Sequence, residues 1–152
     1  MTEKNELKTL LLIEDNPDDY EATRRSFQKA NFLNPIHWSP SANDGIDFLK
    51  GRGRYESDPP RERPGLILLD LNMPGIDGRA ALSIIKNDEE IRSIPVIVLT
   101  TSADERDVEY CYSIGASTYI QKPVDLNRLV EAAARMRDYW FGVALLPCAV
   151  TK

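Results

Sequence analysis

The chain has 152 residues, of which 42% are hydrophobic and 28% are charged, a length and balance that suit one globular domain with its own core. Its 24 acidic and 19 basic side chains give a net charge of −5, which offers no general attraction to nucleic acid or to an anionic membrane. We therefore expect no direct nucleic-acid or membrane partner. The polar start at residues 1–6, expected to be flexible, favours a cytoplasmic protein.

Apolar strand patterns and amphipathic helix patterns alternate about five times along the chain. The predicted strands are, in order, Leu10–Ile13, Ile36–Ser39, Leu66–Leu69, Val96–Leu99 and Thr118–Gln121. The first predicted helix starts at Asn16-Pro17-Asp18, the second spans Ala42–Lys50 and the third spans Gly78–Asn87. The fourth ends near Gly115, and the fifth starts at Asp125. A long polar loop, residues 51–65, precedes the third strand. This alternation favours an α/β fold with a parallel sheet and helices on both faces.

Polar residues suited to binding phosphate or metal directly follow four of the predicted strands. They are Glu14 and Asp15 after the first strand, Asp70 after the third, Thr100 after the fourth and Lys122 after the fifth. Ligands in open α/β sheets bind at the carboxyl ends of the strands, so we expect these side chains to share one pocket.

Three acids, a hydroxyl and an amine in one pocket favour phosphoryl chemistry with a metal ion. Crowded carboxylates repel one another, so either one of them binds a proton or a cation lies among them. Mg²⁺ prefers oxygen ligands and is usually held by one or two carboxylates together with a phosphate oxygen. A carboxylate between such a metal and the Lys122 ammonium group is well placed as a nucleophile toward phosphorus.

The chain also carries the segment Asp70-Leu71-Asn72-Met73-Pro74-Gly75-Ile76-Asp77-Gly78 and the pair Lys122-Pro123. Together with the polar residues named above, they resemble the receiver domains of two-component response regulators over about residues 7–141. The resemblance implies a flavodoxin-like, doubly wound sheet of five parallel strands in the order 2-1-3-4-5. It also implies that Asp70 accepts a phosphoryl group from a histidine kinase. Such a protein signals to partners and acts as an enzyme only in its own phosphorylation and dephosphorylation.

The resemblance also assigns a role to each polar residue of the predicted pocket. The implied Mg²⁺ ligands are Glu14, Asp15, Asp70 and the backbone carbonyl of Asn72. Thr100 and Lys122 would bind the phosphoryl oxygens. Thr100 would also act as a switch together with Tyr119, an aromatic residue of the fifth strand whose ring turns inward.

The carboxyl end carries more apolar surface than the last helix of a receiver domain requires for packing on its own domain. Its apolar residues include Tyr139, Trp140, Phe141, Leu145 and Leu146. This surface could fold back on its own domain, but we expect a homodimer or a kinase contact through the end of the last helix and the tail of residues 142–152. The long loop and this tail resemble the single-domain regulators that partner phytochrome-type histidine kinases.

A second functional class would use the same pocket: a small Mg²⁺-dependent hydrolase or a flavodoxin-like ligand-binding protein. Against it, the sequence has neither a Gly-rich phosphate loop nor a second aspartate two residues after Asp70. The only histidine, His37, falls on a predicted strand, so the phosphodonor is expected to be another protein.

Overall fold

The centre of the structure is a five-stranded sheet in which all paired strands are parallel. The computed structural model describes residues 8–57, 63–73, 75 and 77–147. Its strands are β1 (Leu10–Ile13), β2 (Ile36–Ser39), β3 (Leu66–Leu69), β4 (Val96–Thr100) and β5 (Thr118–Gln121). They pair in the order β2-β1-β3-β4-β5, which confirms the predicted topology. The fourth strand runs one residue further than predicted, because Thr100 pairs with Gln121.

Five α-helices connect or follow the strands within the described residues. They are α1 (Pro17–Lys29), α2 (Ala42–Lys50), α3 (Gly78–Asn87), α4 (Glu105–Ile114) and α5 (Leu126–Asp138), with a short 3-10 helix at Gly53–Tyr55 and a π-helical turn at Tyr139–Val143. Polar side chains cap the amino termini of all five α-helices and satisfy backbone N–H groups there: Asn16, Ser41, Asp77, Asp104 and Asp125. None of the described helices is both long and apolar enough to cross a membrane.

Side chains of the central strands alternate between two cores, one on each face of the sheet. Leu10 and Leu12 of β1 face a core covered by α1 and α5. Leu11 and Ile13 of the same strand face a core that α2, α3 and α4 cover. Because both faces are covered, a central strand is apolar at every position, as predicted for β3.

The strand register brings the carboxyl ends of four strands to one edge of the sheet. Ile13 pairs with Leu69 and Leu69 with Val98, while Thr100 pairs with Gln121. The residues that follow β1, β3 and β5 therefore lie at the same edge of the sheet as Thr100 at the end of β4.

The chain after α5 folds partly back on its own domain. Phe141 is buried and packs edge-on against Phe32, with ring centroids 5.3 Å apart. Leu146 is half-buried against the same core, whereas Tyr139 and Leu145 are 53% and 84% exposed. Part of the apolar surface assigned to partner contacts is thus used within the domain. The predicted flexible residues 1–6 and the end of the predicted tail, residues 148–152, lie outside the described residues.

Candidate metal centre

Three carboxylates converge at the carboxyl edge of the sheet, as the sequence predicts. Glu14 and Asp15 follow β1 and Asp70 follows β3, and one carboxylate oxygen from each lies within 4.8 Å of the other two. Glu14 and Asp70 are buried, and Asp15 is half-buried. Two of them, Asp15 and Asp70, line a cavity of about 160 Å³ together with Asn72 and Lys122.

Lys122 reaches this acidic cluster from the end of β5. Its Nζ donates a hydrogen bond to Oε1 of Glu14 at 3.0 Å and lies 3.9 Å from Oδ2 of Asp19. Its backbone N–H donates to the carbonyl of Thr100 at 2.6 Å, which fixes the start of the loop after β5 against the end of β4. The predicted amine is therefore part of the site and neutralises one of its acids.

The cluster carries more negative charge than Lys122 alone balances. Burial raises the pKa of Glu14 to about 7, and the neighbouring charge of Asp70 raises it as well, although Lys122 opposes the shift. Burial also raises the pKa of Asp70, while Lys122 and the backbone N–H of Asn72 lower it. Such a cluster binds either a proton or a cation near neutral pH. Its donor atoms are all oxygens, which suits a hard divalent ion such as Mg²⁺.

Thr100 contributes a buried hydroxyl group at the end of β4. Its Oγ1 accepts hydrogen bonds from Nδ2 of Asn72 at 3.2 Å and from the backbone N–H of Ser102 at 3.5 Å. Both bonds use the oxygen as an acceptor, so the hydroxyl proton can be donated to an anion.

Tyr119 of β5 contacts the loop that follows Thr100. Its ring is half-buried against the core beneath α2, α3 and α4, and its hydroxyl donates to the backbone carbonyl of Ser102 at 2.9 Å. The Ser102 hydroxyl donates to Oδ2 of Asp107 at 2.8 Å. Asp107 in turn accepts two hydrogen bonds of 2.7 Å from Arg79. Ser102 therefore connects Thr100 and Tyr119 to an ion pair between α3 and α4.

Sequence reasoning missed Arg79, Asp107 and Trp38 as neighbours of the site. The first two are 28 positions apart and meet only because α3 and α4 pack side by side. Trp38 lies on β2 and donates its indole N–H to the backbone carbonyl of Glu14 at 2.7 Å. The only sequence feature that indicated this role for Trp38 was an aromatic residue near the end of β2, the strand beside β1.

His37 lies on β2 outside the carboxylate cluster. Its ring stacks on Phe48 at a centroid distance of 4.0 Å, and Nε2 is 3.0 Å from the hydroxyl of Tyr55. These contacts place the histidine in the packing between β2, α2 and the 3-10 helix.

Comparison with known protein families gives a match to the response regulator receiver domain over residues 10–134. The response regulator Rcp1 of Synechocystis sp. is 34% identical over 147 residues, which cover 97% of this chain and 98% of Rcp1. The probable methanogenesis regulatory protein FilR2 of Methanothrix harundinacea is 35% identical over 133 residues, 88% of this chain and 83% of FilR2.

Solved structures with the same fold include those of two response regulators. The phosphorylated cyanobacterial phytochrome response regulator RcpA matches with a TM-score of 0.84 and 32% identity, over 93% of this chain and 99% of RcpA. The Mn²⁺-bound form of Rcp1 matches with a TM-score of 0.82 and 33% identity, over 92% of this chain and 99% of Rcp1. The similarity thus extends over nearly the whole chain and is not limited to one motif.

Proposed function

This chain belongs to the response regulator receiver domain family, and from that membership we propose that it is a response regulator that accepts a phosphoryl group on Asp70 from a histidine kinase. The observation that carries the proposal is the position of Asp70 in a carboxylate cluster that Lys122 also enters. RcpA, a similar protein, was solved in phosphorylated form, which supports the same chemistry here.

Mg²⁺ is the cofactor we propose for this site. Carboxylate oxygens of Glu14, Asp15 and Asp70 would hold it together with the backbone carbonyl of Asn72, and the Mn²⁺-bound form of Rcp1 supports a divalent ion. When bound, the ion neutralises negative charge on the oxygens of the transferred group.

The transfer would use three groups of the chain, the Asp70 carboxylate, the Lys122 ammonium group and the Thr100 hydroxyl. An oxygen of the Asp70 carboxylate attacks phosphorus, the bond from phosphorus to the donor's imidazole nitrogen breaks, and that nitrogen keeps the electron pair. Lys122 would exchange its hydrogen bond with Glu14 for one with a phosphoryl oxygen, and the Thr100 hydroxyl would donate a hydrogen bond to another. The reaction moves one phosphoryl group onto the protein and consumes no other reagent.

Phosphorylation would act on the rest of the domain through Thr100. The new group carries about −1.5 to −2 charge and three strong acceptor oxygens, which attract the hydroxyl toward Asp70. Thr100 accepts from the Ser102 backbone, whose carbonyl holds the Tyr119 hydroxyl. A shift of Thr100 therefore disturbs the Tyr119 contact and changes the surface that partners read.

The partners we propose are a phytochrome-type histidine kinase and a second copy of this chain. RcpA is named as a phytochrome response regulator, which supports the first. For the homodimer, Tyr139 and Leu145 offer exposed apolar surface, and the Tyr139 ring contacts the half-buried Trp140. Phe141 and Leu146 support this surface from within the domain. A cytoplasmic location of this chain fits the proposal, because the chain must contact the phosphorylated domain of its kinase.

Acetyl phosphate with Mg²⁺ tests the phosphoacceptor directly. We expect intact-protein mass spectrometry to show one added phosphoryl group on the wild type and none on Asp70→Asn. Asp77→Asn is a matched control, since Asp77 caps α3 outside the cluster and asparagine caps a helix equally well.

The same assay separates the proposal from a hydrolase that uses this pocket. Sustained release of phosphate from simple phosphate esters, with no phosphoryl group retained on the protein, would contradict a role as a phosphoacceptor.

A further inference from the structure

Trp38 lies beside the acidic cluster on β2, at the edge of the sheet. Its ring stacks on Tyr20 of α1 with centroids 4.3 Å apart and an angle of 5° between the ring planes. Its indole N–H donates to the backbone carbonyl of Glu14 at 2.7 Å. The side chain therefore joins β2, α1 and the loop that carries two of the three acids.

The backbone of Glu14 is held on both sides by the end of β2. Its N–H donates to the carbonyl of Ser39 at 3.1 Å, and its carbonyl accepts from Trp38. A third bond holds the side chain, since the backbone N–H of Asn16 donates to Oε2 of Glu14 at 3.3 Å. These three contacts fix both the peptide and the carboxylate of the first acid.

The carbonyl that Trp38 holds belongs to the peptide between Glu14 and Asp15. The orientation of this peptide sets the direction in which the next residue leaves the loop, because the peptide unit is planar. A rotation of the Glu14 carbonyl away from the indole would therefore move Asp15 relative to Asp70. Packing of Trp38 on Tyr20 alone would not require the indole N–H to point at this carbonyl.

We propose that Trp38 is a positioning residue for the metal centre: its indole N–H fixes the Glu14–Asp15 peptide so that both carboxylates converge with Asp70 on one cation. The inference rests on the proposed function, since it takes the cluster to be a divalent-metal site. Groups that orient the metal ligands without touching the metal typically contribute about 10-fold to 100-fold to metal affinity, which falls by that factor when they are removed.

The test compares metal affinity in variants that separate the hydrogen bond from the ring packing. Mn²⁺ binding is measured by the electron paramagnetic resonance signal of the free ion, and Mg²⁺ by competition. Trp38→Phe keeps a ring against Tyr20 but removes the N–H, and we expect affinity to fall by about 10-fold. Tyr20→Leu removes the stacked ring but keeps the N–H, and we expect a loss of about 2-fold or less.

Trp140→Phe is the matched control, because Trp140 is the other tryptophan of the chain and follows the carboxyl end of α5. That helix has 13 residues and starts at the metal-site edge, so Trp140 lies at the far end of the domain. We expect its replacement to leave the metal affinity unchanged.

Each result bears on a different statement. If the wild type binds neither ion, the proposed metal site itself is wrong. If the wild type binds and Trp38→Phe binds equally well, only the role of Trp38 is wrong. An equal loss in Tyr20→Leu and Trp38→Phe would assign the effect to packing and would also overturn the inference.

A measurement on the wild type covers the case in which Trp38→Phe fails to fold. In nitrogen-15 spectra, the indole N–H of Trp38 should be protected from hydrogen exchange and should shift when Mg²⁺ is added, while that of Trp140 should not shift. An indole of Trp38 that exchanges freely and ignores Mg²⁺ would overturn the inference.

Discussion

At the scale of single residues, the main feature of the site is that Glu14 is buried beside Asp70 and Lys122. Burial and the charge of Asp70 together raise the pKa of Glu14 to about 7, against the opposing effect of Lys122. In the unfolded chain the same carboxyl titrates near its ordinary value of 4.5. Between these two values the folded protein binds more protons than the unfolded chain, so its stability falls as pH rises.

We therefore expect the metal-free protein to lose unfolding free energy as the pH rises from about 4.5 to about 7, on the order of 2 kcal/mol. Urea unfolding at several pH values measures this directly. Glu14→Gln should show a flatter profile over the same range, because its amide does not titrate. Saturating Mg²⁺ should reduce the loss in the wild type by taking the place of the proton. Identical pH profiles for the wild type and Glu14→Gln without metal would contradict this account.

At the scale of elements, the ion pair between α3 and α4 connects the helices to the loop after β4. Arg79 donates two hydrogen bonds of 2.7 Å to Asp107, which also accepts from the Ser102 hydroxyl. The Arg79 hydrogen bond lowers the pKa of Asp107, so this carboxylate stays ionised at a lower pH than an ordinary aspartate does. Ser102 thereby holds the backbone between Thr100 and α4 in one arrangement.

Arg79→Ala should destabilise the protein by about 1 kcal/mol and loosen this loop. Chemical unfolding gives the first quantity, and faster backbone hydrogen exchange at residues 101–104 reports the second. Arg106→Ala is the matched control, because Arg106 pairs with Asp104 at the start of its own helix on an exposed surface. Equal exchange rates in both variants would mean that the α3–α4 pair does not hold the loop.

At the scale of the whole molecule, the tail divides its apolar side chains between the core and the surface. Phe141 packs on Phe32 in the core that α1 and α5 cover, while Tyr139 and Leu145 are exposed. The two groups are expected to respond differently to substitution, because only the first is buried within one chain.

Tyr139→Ala combined with Leu145→Ala should abolish dimerisation and leave stability within about 0.5 kcal/mol of the wild type. Phe141→Ala should instead cost about 3 to 5 kcal/mol of stability through the cavity it leaves. Light scattering with and without a phosphoryl mimic measures the first effect, and chemical unfolding the second. A wild type that stays monomeric at all concentrations would contradict the proposed homodimer.

The strand ends could be predicted from the sequence because the buried strands are apolar runs that stop at a polar residue. The predicted end of β4 was one residue too early, because a threonine is compatible with a strand and Thr100 pairs with Gln121. The sequence could not predict which apolar side chains of the tail are buried in the domain and which are exposed. An apolar residue such as Phe141 indicates that its surface is covered, but it does not indicate which part of this chain or of a partner covers it. The contact of Trp38 with Glu14 depends on the packing of β2 beside β1, which no local pattern reports.

The hydrogen bond between Lys122 and Glu14 joins positions 108 residues apart. During synthesis on the ribosome, the acids near the amino terminus emerge long before the amine of residue 122 has been added to the chain. A nascent fragment that ends before β5 therefore has carboxylates but no ammonium group to receive a phosphoryl oxygen. Under the proposed function, an incomplete chain would thus be unable to hold the phosphoryl group in this way until nearly all of the domain has been translated.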